Sequence, residues 1–222
     1  MTVHYESLPQ ATLYPEAFGL PAPDGMPPRD MWPRKPGVFI RRAAGDPALE
    51  GGGGRELVGG QFGLVPPWVK SASDAKLRSP KLVTARSETV TTSKNFRDAW
   101  LKGQRCIVPM MAFFEDDLRS GKEVPTRIAR VDGQPMGVAG LWERWAGADG
   151  AEIISFTLLT LNANNHALMH RYQHPGSEKR MPAILGEGAF DAWLNVAHPE
   201  KAREFMRHYP ANWLTANPVE RK

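Results

Sequence analysis

The chain has 222 residues and a formal charge of +4, long enough for one domain with a sizeable core, and the mild positive excess permits a polyanionic partner without requiring one. No apolar run approaches a membrane span, and the opening Met1-Thr-Val-His-Tyr-Glu6 has neither the basic start nor the apolar block of a secretory signal, so a cytoplasmic protein without a membrane partner is expected. A single cysteine, Cys106, excludes an internal disulfide and fits a reducing compartment.

Twenty prolines and twenty-one glycines point to many short elements joined by turns rather than a helical bundle. Residues 1–36, with Pro21, Pro23, Pro27, Pro28, Pro33 and Pro36, read as an extended arm packed on a core, with Phe18, Met31 and Trp32 buried and Tyr5 and Tyr14 pinning its start. Gly37-Val-Phe-Ile-Arg41 is the first strand, and its partner returns at Glu56-Leu-Val-Gly59 after a hairpin tip at Gly51 to Gly54. That glycine run lacks the order of a phosphate loop. Gly60 to Trp68 continues as a strand and stops at Pro66-Pro67. Trp68 then reads either as a stacking platform for a base or as a partly buried packing residue.

Lys81-Leu-Val-Thr-Ala-Arg-Ser-Glu-Thr89 is a short strand that runs into a charged knot. Leu82 and Val83 are expected inside and Arg86 at the strand's mouth, with the Glu88 carboxylate two residues on. Such a pair is either an anion-binding fork or a surface ion pair. Ser93 can cap a helix to Leu101, with Phe96 and Trp100 on its inner face and Gly103 ending it. Arg105-Cys-Ile-Val-Pro109 and Ala112-Phe-Phe-Glu115 follow as strands. Thr126–Val131 and Pro135–Trp142 read as a hairpin turning at Asp132-Gly133. Ile153–Leu161 has the strongest β pattern. A short helix from about Asn164, a turn at Pro175-Gly176, a strand at Met181–Leu185 and helices at Gly188–Leu194 and Pro199–His208 complete the chain. No repeat or domain boundary is visible, so residues 1–222 are expected to form one strand-rich mixed domain.

Glu115 follows two aromatic rings that would raise its pKa toward the range useful for proton transfer. Its bland alternative is a solvated carboxylate beside Asp116 and Asp117. His166, His170 and His174 recur every four residues and would share a face on a continuous helix, but Pro175 ends any such helix and no cysteine lies nearby. A single histidine acting as acid or base is the better reading, and no metal or other cofactor is expected. No GxSxG elbow supports a serine hydrolase, and Cys106 reads as a buried structural thiol.

Taken in order, Gly63-Leu-Val-Pro-Pro-Trp68, Ala85-Arg-Ser-Glu-Thr89, Phe96, Arg105-Cys-Ile-Val-Pro109, Phe113-Phe-Glu115, Ala139-Gly-Leu-Trp-Glu143 and Lys179-Arg-Met-Pro182 resemble the SOS response-associated peptidase (SRAP) family of abasic-site processing proteins. The Trp32-Pro-Arg34 segment and a long histidine loop resemble its proteobacterial, phage-associated branch. The resemblance implies an α+β, β-rich fold in which mixed curved sheets form a barrel-like core with short peripheral helices. It also implies a monomer whose basic cleft takes single-stranded DNA containing abasic sites. In the family, a cysteine after the initiator methionine attacks the abasic aldehyde through its amine and closes a thiazolidine crosslink; the same cysteine is implicated in self-processing. An asparagine positions that centre, a glutamate and a histidine move protons, and an arginine holds the flanking phosphate.

Carried over, Glu115 is the glutamate, His174 (or His170) the histidine, Arg86 the phosphate arginine and Trp68 the aromatic beside the lesion, with Glu88 in the same DNA-binding stretch. Lys70, Arg78 and Lys94 would add phosphate contacts. Two positions depart from the family: Thr2 stands for the cysteine and Thr84 for the asparagine. The expectation is therefore a DNA-binding member with impaired crosslinking and self-processing. The alternatives are an active variant forming a Schiff base through Thr2, and a phage-associated interaction protein without catalysis.

Overall fold

The computed structural model describes residues 2–44 and 54–220. Its strands are β1 (Tyr5–Glu6), β2 (Asp30–Met31), β3 (Pro36–Arg42), β4 (Arg55–Phe62), β5 (Thr84–Arg86), β6 (Arg105–Met110), β7 (Ala112–Asp117), β8 (Val124–Arg130), β9 (Met136–Ala146), β10 (Glu152–Asn162), β11 (Arg180–Pro182), β12 (Ile184–Leu185) and β13 (Leu214–Pro218). The helices are short: α1 (Leu13–Phe18), α2 (Ala72–Arg78), α3 (Arg97–Leu101), α4 (Phe190–Asn195) and α5 (Pro199–Ala202).

Five strands close on themselves. β3 pairs with β4 and β6, β6 with β9, and β9 with β10, all antiparallel; β10 then meets β4 in parallel through Ser155↔Gln61 and Phe156↔Phe62. Apolar side chains from this ring, including Phe39, Ile40, Ile107, Val108, Leu141, Phe156 and Leu158, are fully buried. Each such side chain contributes about 1.5–3 kcal/mol. β6 is buried along its whole length, which is why it reads as a nearly continuous apolar run rather than an alternation. β5 and β11 lengthen the barrel wall beside β10, and β12 pairs with β9. A second, antiparallel sheet runs β13-β8-β7-β1-β2 and carries the start of the chain as an inner strand.

Gly63 lies at φ +121°, and a Cβ on it would come 2.4 Å from the Ser79 carbonyl oxygen. Only glycine turns the chain off β4 here while the 79–82 segment packs this close. That approach lets the Leu64 amide donate to the Leu82 carbonyl (3.0 Å), which aims β5 at its place beside β10.

The barrel-like α+β core with short helices is the architecture expected, and several local readings change. Thr126–Val131 and Pro135–Trp142 do not form a hairpin: β8 pairs with β7 and β13, β9 with β6, β10 and β12. The turn at Gly133 (φ +72°) exists, but it passes the chain from one sheet to the other. Within the proline-rich arm, Leu13–Phe18 is helical, ended by Gly19 at φ +66°. Phe18 and Met31 are buried as expected, but Trp32 is 45% exposed. α3 starts at Arg97 after a turn in which the Ser93 carbonyl accepts from Phe96 and Arg97, so Ser93 does not cap it. β4 ends at Phe62 rather than running to Trp68, and the strand expected at Met181–Leu185 is split between β11 and β12. After Asn164 there is only a 3-10 turn at Met169–Arg171. β3 and β4 pair as expected, and the tip placed at Gly51 to Gly54 lies outside the described residues except for Gly54. Among the described residues no helix is long and apolar enough to cross a membrane.

Candidate functional site

The start of the chain and Glu115 meet because β1 is zipped onto β7. Tyr5 pairs with Phe113, and one step back the Phe114 amide donates to the His4 carbonyl (3.1 Å). Two residues further back, the Thr2 hydroxyl donates to Glu115 Oε1 at 2.5 Å, with both side chains buried. Burial raises the Glu115 carboxyl above its usual range, and hydrogen bonds from Thr2 and Gln173 partly offset the rise. Glu115 is thus a desolvated acid rather than a solvated surface carboxylate.

The pocket in front of it holds about 220 Å³ and is lined by Val3, His4, Trp32, Phe114, Glu115 and, from the opposite loop, Gln173 and His174. His174 is exposed, and its carbonyl anchors the loop by accepting from Lys179 Nζ (2.6 Å) and Ser177 Oγ (2.7 Å). His170 instead donates through Nδ1 to the His166 carbonyl (2.7 Å) and does not line this pocket. Gln173 takes a left-handed conformation, φ +67°, rare for a side-chain-bearing residue. Its amide donates to the Asp116 carbonyl at 3.0 Å, tying the histidine loop to β7.

His166 is structural. Its Nδ1 accepts from the Leu168 and Met169 amides, so Nε2 carries the proton and donates to the Tyr209 carbonyl (2.7 Å); burial lowers its pKa. The three histidines therefore do not share a helix face, and no group of three or more metal-ligating side chains occurs among the described residues.

Thr84, Arg86, Glu88 and Trp68 lie outside that lining. Thr84 is buried on β5 opposite Leu158, and Arg86 at the end of the same strand is exposed, as its position in the sequence implies. Arg86 Nη1 sits 2.6 Å from Glu178 Oε2. Hydrogen bonds from Arg86 and then Asn162 pull the Glu178 carboxyl down to about 2. Glu88 faces the buried Arg180, receiving Nη1 at 3.0 Å and Nη2 at 2.7 Å, and also accepts the Asn162 amide at 3.0 Å. Arg180 links this cluster back to the pocket, because the Gln173 carboxamide donates to its carbonyl oxygen at 2.9 Å. Trp68 is half-buried against a small cluster of Val65, Val69, Ala75 and Trp145. Lys94 Nζ and Arg78 Cζ lie 4.1 and 4.8 Å from its ring centroid, so two of the three cations expected near DNA, all but Lys70, gather on this indole.

One feature had no signal in the sequence. His4 is sandwiched between Trp32 and Phe114, with ring centroids 4.0 Å apart on each side, and its Nε2 lies 2.8 Å from Asp30. This column of three rings forms one wall of the Glu115 pocket.

A closed five-stranded barrel is joined to a second sheet whose inner strand β1 leads back to Thr2, held against the buried Glu115. The chain belongs to the SOS response associated peptidase (SRAP) family, whose model it matches over residues 7–222. It is similar over 98% of its length, at 41% identity and a TM-score of 0.86, to a protein of Bordetella bronchiseptica solved by crystallography, 99% of which is covered. Among curated relatives it is 31% identical over 162 residues to the abasic site processing protein YoaM of Bacillus subtilis, covering 72% of this chain and 66% of YoaM. It is 26% identical over 185 residues to the abasic site processing protein HMCES of Gallus gallus, covering 74% of this chain and 53% of HMCES. The matched part is thus just under two thirds of the one relative and about half of the other.

Proposed function

We propose that this chain binds single-stranded DNA at abasic sites, and that Thr2 makes its covalent chemistry weaker and more reversible than a cysteine would. The observation that carries the reading is the 2.5 Å hydrogen bond from Thr2 to the buried Glu115, which lines a pocket with His174. The similarity to proteins named for abasic-site processing supplies the substrate class. In a chain whose Met1 has been removed, the Thr2 amine condenses with the ring-opened aldehyde, forming C=N and releasing water. The hydroxyl oxygen can then add to the imine carbon while its proton passes to nitrogen, closing an oxazolidine. Glu115 is the group in contact with that hydroxyl and serves the proton transfer. A hydroxyl is a far weaker nucleophile than a thiolate, so the ring is slow to form and the imine stays exposed to hydrolysis. Arg86, Lys94 and Trp68 hold the strand, and Glu88 acts there by fixing Arg180.

Borohydride trapping on Met1-free protein with abasic single-stranded DNA tests this. The expected result is an adduct with reductant, little without it, and a durable reductant-independent adduct for Thr2→Cys. Absence of salt-dependent binding to abasic single-stranded DNA by the parent protein would overturn the reading. Binding without any trapped adduct favours the non-catalytic alternative.

A further inference from the structure

We propose a second site, for a phosphate group, at the end of the barrel away from Thr2. β6 fixes the geometry. Its Met110 end leads through Met111 into β7 and Glu115, while Arg105 stands at its other end, about 17 Å away at roughly 3.3 Å per residue. A pocket of about 470 Å³ opens there between the end of β3, the turn after α3, the start of β6 and the chain following α4. Its charged lining is Arg41, Arg42, Lys102 and Arg105, without any Asp or Glu among the described residues.

Arg105 is the unusual member, being only 6% exposed. Its Nε donates to the Trp193 carbonyl (2.8 Å) and Nη2 to the Val196 carbonyl, and no carboxylate partners it among the described residues. Burial opposes its charge, and buried charges are ordinarily paired with a counter-ion. Capping the end of α4 accounts for its two carbonyl contacts. It leaves Nη1 without an acceptor among the described residues and leaves the other cations unexplained. Gly103 keeps the approach open, since a Cβ there would stand 3.4 Å from Nη1, in ordinary contact range. Arg41 is fixed by Glu56 (2.5 Å) and by the Trp142 ring (4.5 Å), whereas Arg42 and Lys102 have no ion-pair partner among the described residues and sit exposed at the rim. A fixed guanidinium fork with mobile cations above it matches the oxygens of a phosphate, and the volume admits a mononucleotide. The phosphate could belong to a DNA strand running past the barrel or to a free small molecule.

Pyrophosphate, AMP and a 20-nucleotide single strand are titrated by calorimetry into the full chain and into Arg42→Ala/Lys102→Ala. These rim substitutions touch neither the core nor the Thr2 pocket. Saturable pyrophosphate or AMP binding that weakens about tenfold or more in the double variant is expected. Loss of affinity for the 20-mer as well, with a short abasic oligonucleotide still binding as in the parent, assigns the phosphate to DNA; an unchanged 20-mer assigns it to a free molecule. The proposal fails if neither pyrophosphate nor AMP saturates, or if both bind the double variant as tightly as the parent. Because the readout is phosphate binding, failure here leaves the abasic-DNA reading intact, and the reverse also holds.

Discussion

On the reading proposed above, with Arg86 as phosphate anchor, Glu178→Gln should strengthen DNA binding, because Glu178 now occupies that arginine. Arg86 and Glu178 are 2.6 Å apart, with side chains 50% and 32% exposed. At that exposure the pair is worth about 0.2–1 kcal/mol, which a phosphate must displace. The neutral amide keeps the oxygen that accepts from Asn162 Nδ2 (2.6 Å) and Arg180 Nη1 (3.2 Å), and loses the charge and the oxygen that faces Arg86. The expected gain is about 1.4- to 5-fold in affinity for single-stranded DNA at low salt. Fluorescence anisotropy across a salt series measures it, with Arg86→Ala and the double variant alongside. Arg86→Ala should weaken binding and flatten the salt slope by about 0.7, one phosphate's worth for a single strand. In the double variant the gain from Glu178→Gln should vanish, since its beneficiary is gone. An equal gain with and without Arg86 would mean that Glu178 only repels DNA at large, and the anchor role of Arg86 would be refuted.

Two further outcomes follow from the packing. The raised pKa of buried Glu115 means that the fold favours its protonated form, so stability falls as pH rises through the usual carboxyl range toward the raised value. Glu115→Gln should therefore gain stability relative to the parent as pH rises from about 4 to about 7, while losing any trapped adduct; equal pH profiles would argue against the desolvated acid. Gly63→Ala forces a side chain to φ +121° with its Cβ 2.4 Å from Ser79 O, and should cost about 3 kcal/mol in urea denaturation. A change under about 0.5 kcal/mol would show that the 63–79 approach is not tight.

What the sequence made legible was whatever local pattern decides. β3, β6 and β10 are dense in β-branched and aromatic residues, and their positions were readable within a residue or two. Phe113-Phe114 raised a desolvated Glu115 as one of two readings, which the structure decides, and the strand end marked Arg86 as displayed. The Asp132-Gly133 turn was readable but its consequence was not, because the same turn chemistry serves a hairpin and a passage between sheets; the choice is made by β6 and β13, remote in sequence. β13, Leu214-Thr-Ala-Asn-Pro218, alternates but buries only Leu214 and contains no β-branched residue except Thr215, so its pattern is weak and its strand depends on the edge that β8 offers it. The contact between Thr2 and Glu115 spans 113 residues of chain, a separation no window of sequence contains. Trp32 looked like core because it is large and apolar, yet the structure gives it one partner ring, His4, and leaves the rest to solvent.

The inner position of β1 has a consequence for the timing of synthesis. Tyr5 and Glu6 are flanked in the finished sheet by β2 and by β7, and β7 begins at Ala112. Until that strand has been made, Thr2 lacks the Glu115 carboxylate that receives its hydroxyl and stays open to solvent; afterwards it is only 2% exposed. Chemistry at Thr2 is therefore easiest before β7 has paired with β1, and afterwards it needs the segment around Thr2 to open.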